Sequence, residues 1–366
     1  MQKTQTNMKR HHLLLAMLLF LGACFVSAQQ KKYAVYGVGF YNLENLFDTC
    51  HDEGKNDYQY LPDGVNKWNG LKYSHKLRNM SRVLSEMGTD VLKGVGCAAI
   101  GVSEVENAKC LTDLCNQEPL KARNFQFVHI EGPDHRGVDC ALLYNPKLFQ
   151  VRDTKLVPYI YKLSEDSMRA TRGFFTVSGT MGGEHVAIIV NHLPSRAATS
   201  MYREEGGLQL RAVKDSLLRE DPSVKILVMG DMNDDPHDRS MAVCLGGKRK
   251  MKDVGPDDLW NPWWDVLASG TGTLMYQGAW NLFDQILLSP SLLDPANMTD
   301  KKEVVAGKID CRTLKYYKHQ VFRRDYLFQR DGKYKGSPLR THAGGAWLDG
   351  YSDHLPTVVY LIKEQK

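Results

Sequence analysis

Short apolar runs alternate along the chain with segments that are apolar on one side only. Ser74–Met87 and Leu208–Leu218 carry apolar residues at helical spacing, which predicts two helices. The apolar runs are too short for helices and rich in β-branched and aliphatic residues, which predicts strands. The predicted strands are Val35–Tyr41, Ala98–Val102, Cys140–Tyr144, Phe174–Val177, His185–Val190, Lys225–Met229, Ile286–Leu288 and Thr357–Leu361. Many short strands with few helices indicate an α/β protein whose packed sheets are covered by helices.

One long segment, Ser291–Gly350, breaks this alternation. It is polar, rich in lysine, arginine and tyrosine, and long for a connection between strands. Such segments usually carry function or form a local subdomain. The runs Lys315–Lys318 and Arg323–Tyr326 would suit contacts with phosphates or stacked bases, although charges of this kind more often belong to a solvated hairpin. No repeat or low-complexity linker divides the rest of the chain.

The first residues resemble an export signal. A basic pair precedes the apolar run Leu13–Phe20, and Val26–Ala28 forms a suitable cleavage site. We therefore expect residues 1–28 to be a signal peptide, with no transmembrane segment after its removal and a periplasmic or extracellular protein as the result. A lipoprotein box at Leu21–Cys24 is the alternative, although apolar residues follow Cys24 where a lipoprotein usually turns polar.

Composition narrows the classes of protein further. The chain has 366 residues, 43% apolar and 24% charged, so it can bury a substantial core. The formal net charge of +5 includes three basic residues of the leader, so the mature chain would carry about +2, too little for a protein that coats nucleic acid. Eight cysteines are present, none in a C-x-x-C pair, which favours buried thiols with at most one disulfide over a zinc site.

Polar residues flank many of the predicted strands. Strand ends place side chains at one edge of a sheet, where loops gather them into a cleft. Each motif alone has an ordinary explanation, because Asn and Asp often start turns. Their recurrence is what indicates a site. The motifs are Asn42-Leu43-Glu44, Ser103-Glu104, Asn191-His192, Gly230-Asp231-Met232-Asn233, Phe283-Asp284 and Ser352-Asp353-His354.

This mixture of carboxylate, amide and imidazole groups fits the hydrolysis of a phosphoester. A phosphodiester is anionic and repels hydroxide, so the site needs a cation. Mg²⁺ prefers oxygen ligands and keeps several waters, which makes Glu104 the best candidate ligand. An amide such as Asn42 or Asn233 can orient a carboxylate or phosphate oxygen without adding charge. A histidine can move a proton near neutral pH, and Asp284 bonded to the far nitrogen of His354 would hold its ring.

In this order the motifs resemble those of the endonuclease/exonuclease/phosphatase superfamily, especially its exported bacterial branch. The superfamily includes pancreatic-type deoxyribonucleases, abasic-site endonucleases, inositol polyphosphate 5-phosphatases and bacterial sphingomyelinases. The likeness begins at about residue 33 and runs to the C-terminus. It rests on Phe40–Asp48 as the opening motif, Ser103–Asn107 as the motif of the metal-binding glutamate, and Asn191–Arg196, Gly230–Asp234 and Ser352–His354 as the later ones.

The resemblance implies an α/β four-layered sandwich, with two mixed β-sheets packed face to face and helices on the outer faces. It implies a single catalytic domain over residues 29–366 with an insertion at about 291–350, and Mg²⁺ as cofactor with Mn²⁺ as a substitute. The catalytic residues would be His192, Asp231, Asn233, Asp284 and His354; the substrate-binding residues Asn42, Asn233 and Arg196; and the metal ligands Glu104, Asn42, Glu44 and Asp353.

Within that set, Asp231 would orient or deprotonate the attacking water, and His354 would bind and protonate the scissile phosphate. His192 stands where pancreatic-type nucleases have a second histidine, which implies general-acid help for the leaving group. Two positions depart from or blur the family's pattern. Gln285 replaces a histidine that many exported relatives have, and Asp139 is a candidate support for His192 whose alignment is uncertain by one residue.

The catalytic set leaves the substrate open. A nuclease-like phosphodiesterase acting on nucleic acid is the first hypothesis, because the opening motif and His192 resemble those of nucleases. The second is a phosphatase or sphingomyelinase-type hydrolase of a phosphorylated head group. The third is a secreted binding protein that has kept the fold without activity, but such a relative should have lost Glu104, Asp231 or His354. A monomer is expected in each case.

Overall fold

The computed structural model describes residues 32–164, 167–294 and 309–365. The chain divides into one unit of residues Tyr33–Glu364 and another of the terminal residues 1–32 and 365–366; the fold and the site concern the first. The expected signal peptide, the alternative lipid site at Cys24, and residues 295–308 of the insertion lie outside the described residues. Among the residues that are described, no helix is long and apolar enough to cross a membrane.

The strands and α-helices follow one another in the order expected for a mixed α/β chain. The strands are β1 (Lys32–Leu46), β2 (Cys97–Val105), β3 (Gln126–His129), β4 (Asp139–Tyr144), β5 (Phe149–Ser164), β6 (Ser167–Met181), β7 (Glu184–His192), β8 (Lys225–Asp231), β9 (Gly247–Lys248), β10 (Leu259–Trp260), β11 (Leu274–Tyr276), β12 (Ala279–Asn281), β13 (Asp284–Leu288), β14 (Lys315–Val321), β15 (His342–Ala343), β16 (Ala346–Trp347) and β17 (Thr357–Gln365). The helices are α1 (Gly70–Glu86), α2 (Ala108–Cys115), α3 (Glu118–Ala122), α4 (Ser200–Glu220) and α5 (Trp263–Ala268).

Two large mixed sheets form the centre of the fold. The first has six strands in the order β14-β17-β1-β2-β4-β3, and the second has seven in the order β5-β6-β7-β8-β13-β10-β9. Each sheet contains a parallel pair near its middle, β1 with β2 and β7 with β8. Antiparallel neighbours flank both pairs, β4 beside β2 and β13 beside β8. Both faces of these central strands are buried, which explains their nearly continuous apolar sequences.

Three apolar clusters show that the sheets and helices form four layers. Successive side chains of a strand point to opposite faces of its sheet. Phe40 therefore lies between the two sheets, in one cluster with residues of β7 and β8, while Tyr41 packs outward against α1. In the second sheet, Val190 points inward, and Ile189 packs outward with residues of α4. The predicted four-layered α/β sandwich is confirmed.

The elements predicted from the apolar pattern are all present, and most are longer than predicted. The first predicted strand continues from Tyr41 to Leu46, because Asn42 pairs in register with Ser103 and so extends the ladder into the polar motif. The first helix begins at Gly70, where the Asn69 side chain accepts a hydrogen bond from the Lys72 amide at 3.1 Å. Polar residues of the motifs thus belong to the strands themselves.

The described part of the segment Ser291–Gly350 is connected to the first sheet and also contains the short antiparallel pair β15–β16. Its strand β14 pairs antiparallel with β17 and forms an edge of the first sheet. Arg324 lies away from the motifs, with guanidinium nitrogens 2.7 Å from Asp90 and 3.7 Å from Glu86. Lys315 donates to the main-chain carbonyls of Ser291 and Leu293. The two basic runs therefore support the fold, and a different residue of this segment reaches the site.

Six cysteines in the described part of the chain are present as thiols. Among the described residues, Cys50, Cys97, Cys110, Cys115, Cys140 and Cys244 are free. Burial raises the pKa of Cys97 and Cys140 above the usual range for a thiol. These buried groups are consistent with the expectation of core thiols and are poor metal ligands in that protonated form.

The two sheets approach each other closely at Gly101 of β2. A β-carbon at this position would lie 2.6 Å from the Met229 sulfur and 3.1 Å from a Val190 methyl carbon across the interface. We expect Gly101→Val to lower the free energy of unfolding by about 1–3 kcal/mol, because the well-packed layer must shift to admit the side chain. Urea denaturation monitored by circular dichroism measures this loss.

Gly70 provides the control for that substitution. It is the first residue of α1, and nothing lies within 4 Å of where its β-carbon would be. Gly70→Ala should leave the free energy of unfolding unchanged or raise it by up to about 1 kcal/mol. Equal stability of the Gly101 variant and the wild type would contradict the close approach of the sheets.

Candidate active site

The carboxyl ends of the parallel strands bring the motifs to one edge of the sandwich. In the first sheet, Asn42 of β1 lies beside Ser103 of β2, so the two motifs leave the sheet together. In the second sheet, His192 of β7 lies beside Asp231 of β8. The antiparallel strand β13 begins there too, and its Asp284 pairs with Asp231. The register of the ladders therefore positions these side chains.

Direct contacts join the residues of the first sheet to those of the second. The Asn42 amide donates to Asp231 Oδ2 at 3.0 Å. His192 Nε2 lies 3.6 Å from Asp231 Oδ2 and 3.7 Å from Glu104 Oε1. His354 Nε2 is 3.7 Å from the same Asp231 oxygen. Glu104, Asp231 and His354, which are far apart in the sequence, thus face one another in a single cluster.

His354 and Asp284 form the pair expected from the sequence. Nδ1 of the His354 ring is 2.7 Å from Asp284 Oδ2, and both side chains are buried. The Ser352 hydroxyl accepts from the His354 amide at 3.1 Å and donates to the Asn42 carbonyl at 2.8 Å, which ties this loop to β1. Since Nδ1 is held by the carboxylate, Nε2 is directed towards Asp231 and the cluster.

Several motif residues have a left-handed backbone although they are not glycine. The φ angles are 47° at Glu44, 60° at Glu104 and 50° at Asn233. At Glu104 the ladder between β2 and β4 is irregular between Ser103 and Val105, so the strand carries a bulge there. Bulges redirect side chains at strand ends, and backbone strain of this kind is concentrated at functional sites.

Burial and neighbouring charges set the protonation of the cluster. Burial alone would lower the pKa of His354, but the carboxylates of Asp284 and Asp231 outweigh it and leave that pKa well above the usual value. Burial raises the pKa of Asp231 to about 7, while the positive charge of His354 opposes the rise. The carboxylates of Asp284 and Asp231 therefore favour the protonated, cationic form of the His354 ring.

His192 differs from His354 in both charge and contacts. Burial lowers its pKa well below the usual value, and the guanidinium groups of Arg172 and Arg136 add to the effect. Arg172 Nη2 lies 3.3 Å from His192 Nε2, and because an arginine can only donate, that nitrogen accepts. In this geometry Nε2 of the His192 ring accepts from Arg172, and the general-acid role implied for His192 by the resemblance stays a prediction.

Asp139 does not support His192. One of its oxygens is 2.9 Å from His129 Nε2, and the other accepts from the Gly132 amide at 2.9 Å. The pairing of β3 with β4 places His129 opposite Ala141, two residues beyond Asp139, which explains why the carboxylate is used there. Within the described part of the chain, His192 Nδ1 has no hydrogen-bond partner.

Asn233 and Arg196 lie at the edge of the cluster. The Asn233 main-chain amide donates to Asp231 Oδ1 at 2.9 Å, and its side-chain amide donates to the Leu193 carbonyl at 2.9 Å. Arg196 donates to the Asn233 carbonyl and to the carboxylates of Asp235 and Asp238, at 3.2, 3.0 and 2.6 Å. Arg196 thus braces the loop that carries Asn233, and its guanidinium is engaged by protein groups.

Gln285 has a structural use at the position where many exported relatives have histidine. It is fully buried in β13 and accepts from the Asn261 amide at 2.7 Å. Its own amide donates to the carbonyls of Asp234 and Leu282 at 2.8 and 3.0 Å. The glutamine therefore holds the loop after β8 against the start of β13, next to Asp284.

Three arginines near the cluster were not identified from the sequence. Arg136 Nη2 is 3.7 Å from Glu104 Oε1, and Arg172 contacts His192. Arg340, from the segment Ser291–Gly350, donates to Glu44 Oε1 at 3.0 Å and to Asp353 Oδ2 at 2.8 Å. None of these arginines belongs to a recognisable motif, so no pattern in the sequence singles them out.

The donor set suits a hard divalent cation. Glu104 Oε2 accepts from the Asn45 amide at 3.0 Å, while Oε1 lies 3.7 Å from the Arg136 guanidinium and 3.7 Å from the His192 ring. One carboxylate oxygen of Glu104 therefore remains available beside Asn42, as Mg²⁺ or Mn²⁺ requires. The other two carboxylates expected as ligands, Glu44 and Asp353, are bonded to Arg340.

Two groups of possible metal ligands occur in the described residues: Asp231 with Asp284 and His354, and Asp48 with Glu106 and Cys110. The second group is linked internally. Glu106 Oε2 accepts from the Asp48 amide at 2.7 Å and lies 3.6 Å from Cys110 Sγ. Burial raises the pKa of Glu106 to about 8, which favours its neutral form. These contacts account for the second group as part of the fold.

The layers and the cluster define an α/β sandwich protein with an acidic, amide and histidine site at one edge of its paired sheets. The sequence profile of the Endonuclease/Exonuclease/phosphatase family matches residues 37–363, which is most of the chain. This protein belongs to that family. No curated protein matches the chain in sequence.

Solved structures with the same fold agree with that assignment. An endonuclease/exonuclease/phosphatase family protein from Bacteroides thetaiotaomicron is 14% identical with a TM-score of 0.53, covering 91% of this chain and 97% of its own. The mannosyl-6-phosphatase Bt3783 of the same organism is 14% identical with a TM-score of 0.52, covering 89% and 99%. D. rerio TDP2 complexed with single strand DNA product is 12% identical with a TM-score of 0.50, covering 90% and 99%. At these identities the likeness concerns the fold.

Proposed function

We propose that this protein is a divalent-metal-dependent phosphoester hydrolase, with a phosphodiester as its leading substrate class. The observation that carries the proposal is the convergence of Glu104, Asp231 and His354, with His192 3.6–3.7 Å from two of them. The family and its solved relatives, among them a phosphatase and a DNA-bound protein, support the same chemistry. A purely binding relative would have no need to keep these charges buried together.

The residues of the cluster suit the steps of phosphoester hydrolysis. A cation bound at Glu104, with Asn42 nearby, would neutralise charge developing on the non-bridging oxygens. Asp231 has a pKa near neutrality, as suits a general base acting on water. Asn42 and the Asn233 amide fix its two oxygens, at 3.0 and 2.9 Å. The protonated His354 ring donates from Nε2 to the phosphate or to the departing oxygen.

The arginines add fixed positive charge where the phosphate would lie. Arg136 and Arg172 each lie near a member of the cluster, at Glu104 and His192 respectively. Guanidinium groups recognise phosphate oxygens and stay charged at every relevant pH. His192, neutral and held by Arg172, fits the role of a hydrogen-bond partner for the substrate or the water. A phosphodiester leads over a monoester in this proposal because the opening motif and His192 resemble those of nucleases.

Metal removal tests the cofactor. We expect EDTA to abolish activity and added Mg²⁺ or Mn²⁺ to restore it, because the donors are oxygens with no thiolate among them. Release of product from a chromogenic phosphodiester, measured before and after metal addition, gives the result. Restoration by Zn²⁺ alone, or activity that survives exhaustive chelation, would contradict an oxygen-ligand site.

A parallel substrate assay tests the reaction class. Purified protein with Mg²⁺ is incubated with plasmid DNA, RNA, a sphingomyelin emulsion and inositol phosphates, with a mannose 6-phosphate arm for sugar monoesters. We expect cleavage of the nucleic acids to be fastest. Turnover restricted to the monoesters would replace the phosphodiesterase proposal with a phosphatase, and no turnover of any substrate would overturn the hydrolase itself.

Export is part of the proposal and rests on the sequence of residues 1–28. A basic pair, an apolar run and a cleavage site together direct secretion. Cell fractionation with N-terminal sequencing of the mature protein tests it: a mature chain beginning at Gln29 is expected, whereas a lipid-modified Cys24 would establish the lipoprotein alternative.

A further inference from the structure

Arg340 occupies a site between two carboxylates of different motifs. Its Nε donates to Glu44 Oε1 at 3.0 Å, and its Nη2 donates to Asp353 Oδ2 at 2.8 Å. Glu44 belongs to β1 and is 6% exposed, so this is more than a surface pair. Asp353 precedes His354, whose Nε2 lies 3.8 Å from Asp353 Oδ1. One guanidinium therefore joins the opening motif to the closing motif beside the cluster.

Buried groups on both sides of the main chain hold Arg340 in place. The next residue, Thr341, donates its amide to Glu44 Oε2 at 2.6 Å. Lys76, a fully buried lysine of α1, donates to Thr341 Oγ1 and to the Tyr351 carbonyl, both at 2.6 Å. These contacts satisfy both oxygens of Glu44 and anchor the segment on either side. The position of Arg340 is thus set by the core of the first sheet.

Two carboxylates placed together repel each other unless a cation lies between them. A divalent metal would serve, and the sequence motifs indicate Glu44 and Asp353 as members of a metal site. In this protein, Arg340 provides the positive charge, and an arginine keeps that charge at any physiological pH. Charge-assisted hydrogen bonds of about 3 Å are also among the stronger polar contacts in proteins.

We propose that Arg340 is a built-in counter-cation for Glu44 and Asp353, so that the active site takes up one divalent cation, on the Glu104 side, instead of two. The inference rests on the proposed metal-dependent function and assigns a positioning residue within it. The segment Ser291–Gly350 thereby has a role at the site: it delivers the guanidinium that completes the charge balance. Removal of Arg340 takes away one of the two cations described beside this pair, the other being the buried Lys76. It also frees Glu44 Oε1 and Asp353 Oδ2, which are ligands that Mn²⁺ accepts.

Calorimetric titration of the full-length mature protein with Mn²⁺ tests this inference. We expect one bound ion per chain for the wild type, two for Arg340→Gln, and one again for Arg340→Lys, which restores the charge. Arg324→Gln is the matched control, because Arg324 lies in the same segment and also sits between two carboxylates, Asp90 and Glu86. That variant should bind one ion with wild-type affinity.

The outcomes separate this inference from the proposed function. Glu104→Gln should weaken binding of the single ion at least tenfold. Unchanged binding by Glu104→Gln, or no binding by the wild type, would contradict the proposed function. One ion bound by Arg340→Gln, or two by the wild type, would overturn the counter-cation role alone. Thermal melting shows whether each variant is folded. If Arg340→Gln is not, the stoichiometry of Glu44→Gln decides: one bound Mn²⁺ per chain, as in the wild type, is expected, whereas loss of the single ion would make Glu44 its ligand and overturn the counter-cation role.

Discussion

Replacing Glu104 by glutamine is expected to abolish turnover, with kcat reduced by at least about a thousandfold, while the fold remains intact. In the described residues, Glu104 Oε1 has no close hydrogen bond and lies 3.7 Å from both Arg136 Nη2 and His192 Nε2. Metal stabilisation of a phosphoryl transition state contributes several kcal/mol, and about 4 kcal/mol corresponds to three powers of ten in rate. Steady-state hydrolysis of a chromogenic phosphodiester with saturating Mg²⁺ measures the loss.

Glu106→Gln is the control for that experiment. Glu106 lies two residues further along the same strand end and is equally acidic in sequence, but its carboxyl group bonds to the Asp48 amide and Cys110. Because burial raises the pKa of Glu106 to about 8, a neutral glutamine resembles its protonated form at pH 7. Activity close to that of the wild type is expected. A fully active Glu104→Gln variant would remove the proposed metal ligand.

The second large effect is expected for His354→Ala, with a loss of at least about a hundredfold in the chemical step. That is the usual contribution of a positioned general acid or base. The His354 ring is held by Asp284 and directed at Asp231. The substitution therefore removes both the positive charge and the fixed orientation of the ring. Single-turnover measurements, which isolate chemistry from product release, should show the loss in rate with little change in substrate affinity.

His185 offers a matched comparison, because it repeats the same pairing elsewhere. His185 Nδ1 lies 2.6 Å from Asp221 Oδ2. His185 is at the start of β7, whereas the cluster lies at the other end of that strand, where His192 is. His185→Ala removes an Asp–His pair from the fold without touching the cluster, so the rate should be unchanged. Equal losses in the two variants would mean that His354 acts through stability alone.

Most of the sandwich was predictable from the sequence because its central strands are buried on both faces. Runs such as Ile188–Val190 and Leu227–Met229 have no polar position, and they coincide with the middles of β7 and β8. The strand β14 was not predicted. Its sequence, Lys315–Val321, mixes charged and aromatic residues because it forms a half-exposed edge, where burial imposes little pattern.

The motif residues of the candidate site were predictable for a different reason. Short polar motifs at strand ends keep a fixed relation to the register, so Asn42, Glu104, Asp231 and His354 converge once the sheets form. Arg340 has no such relation. It reaches the site through the return of a long segment, and nothing local distinguishes it from the other basic residues around it.

The misassigned partner of His192 illustrates the same limit. Asp139 stands at the start of β4, and the sequence suggested it as a support for His192. Its actual partner depends on which strand lies beside β4, and β3 brings His129 to it. Which strands pair is decided by the tertiary structure. The local sequence around Asp139 therefore does not show which histidine its carboxylate contacts.

The left-handed backbone at Glu44, Glu104 and Asn233 has a consequence for how this protein would tolerate heat and change. Each such residue is held against a local preference worth roughly 1–2 kcal/mol, and only the rigid sheets beneath keep it there. Part of the candidate site is therefore built on residues whose backbone conformation is unfavourable. Loosening of the sheet packing should abolish activity at temperatures where the secondary structure still persists. Variants selected only for thermal stability should lose the left-handed conformation at these three positions first.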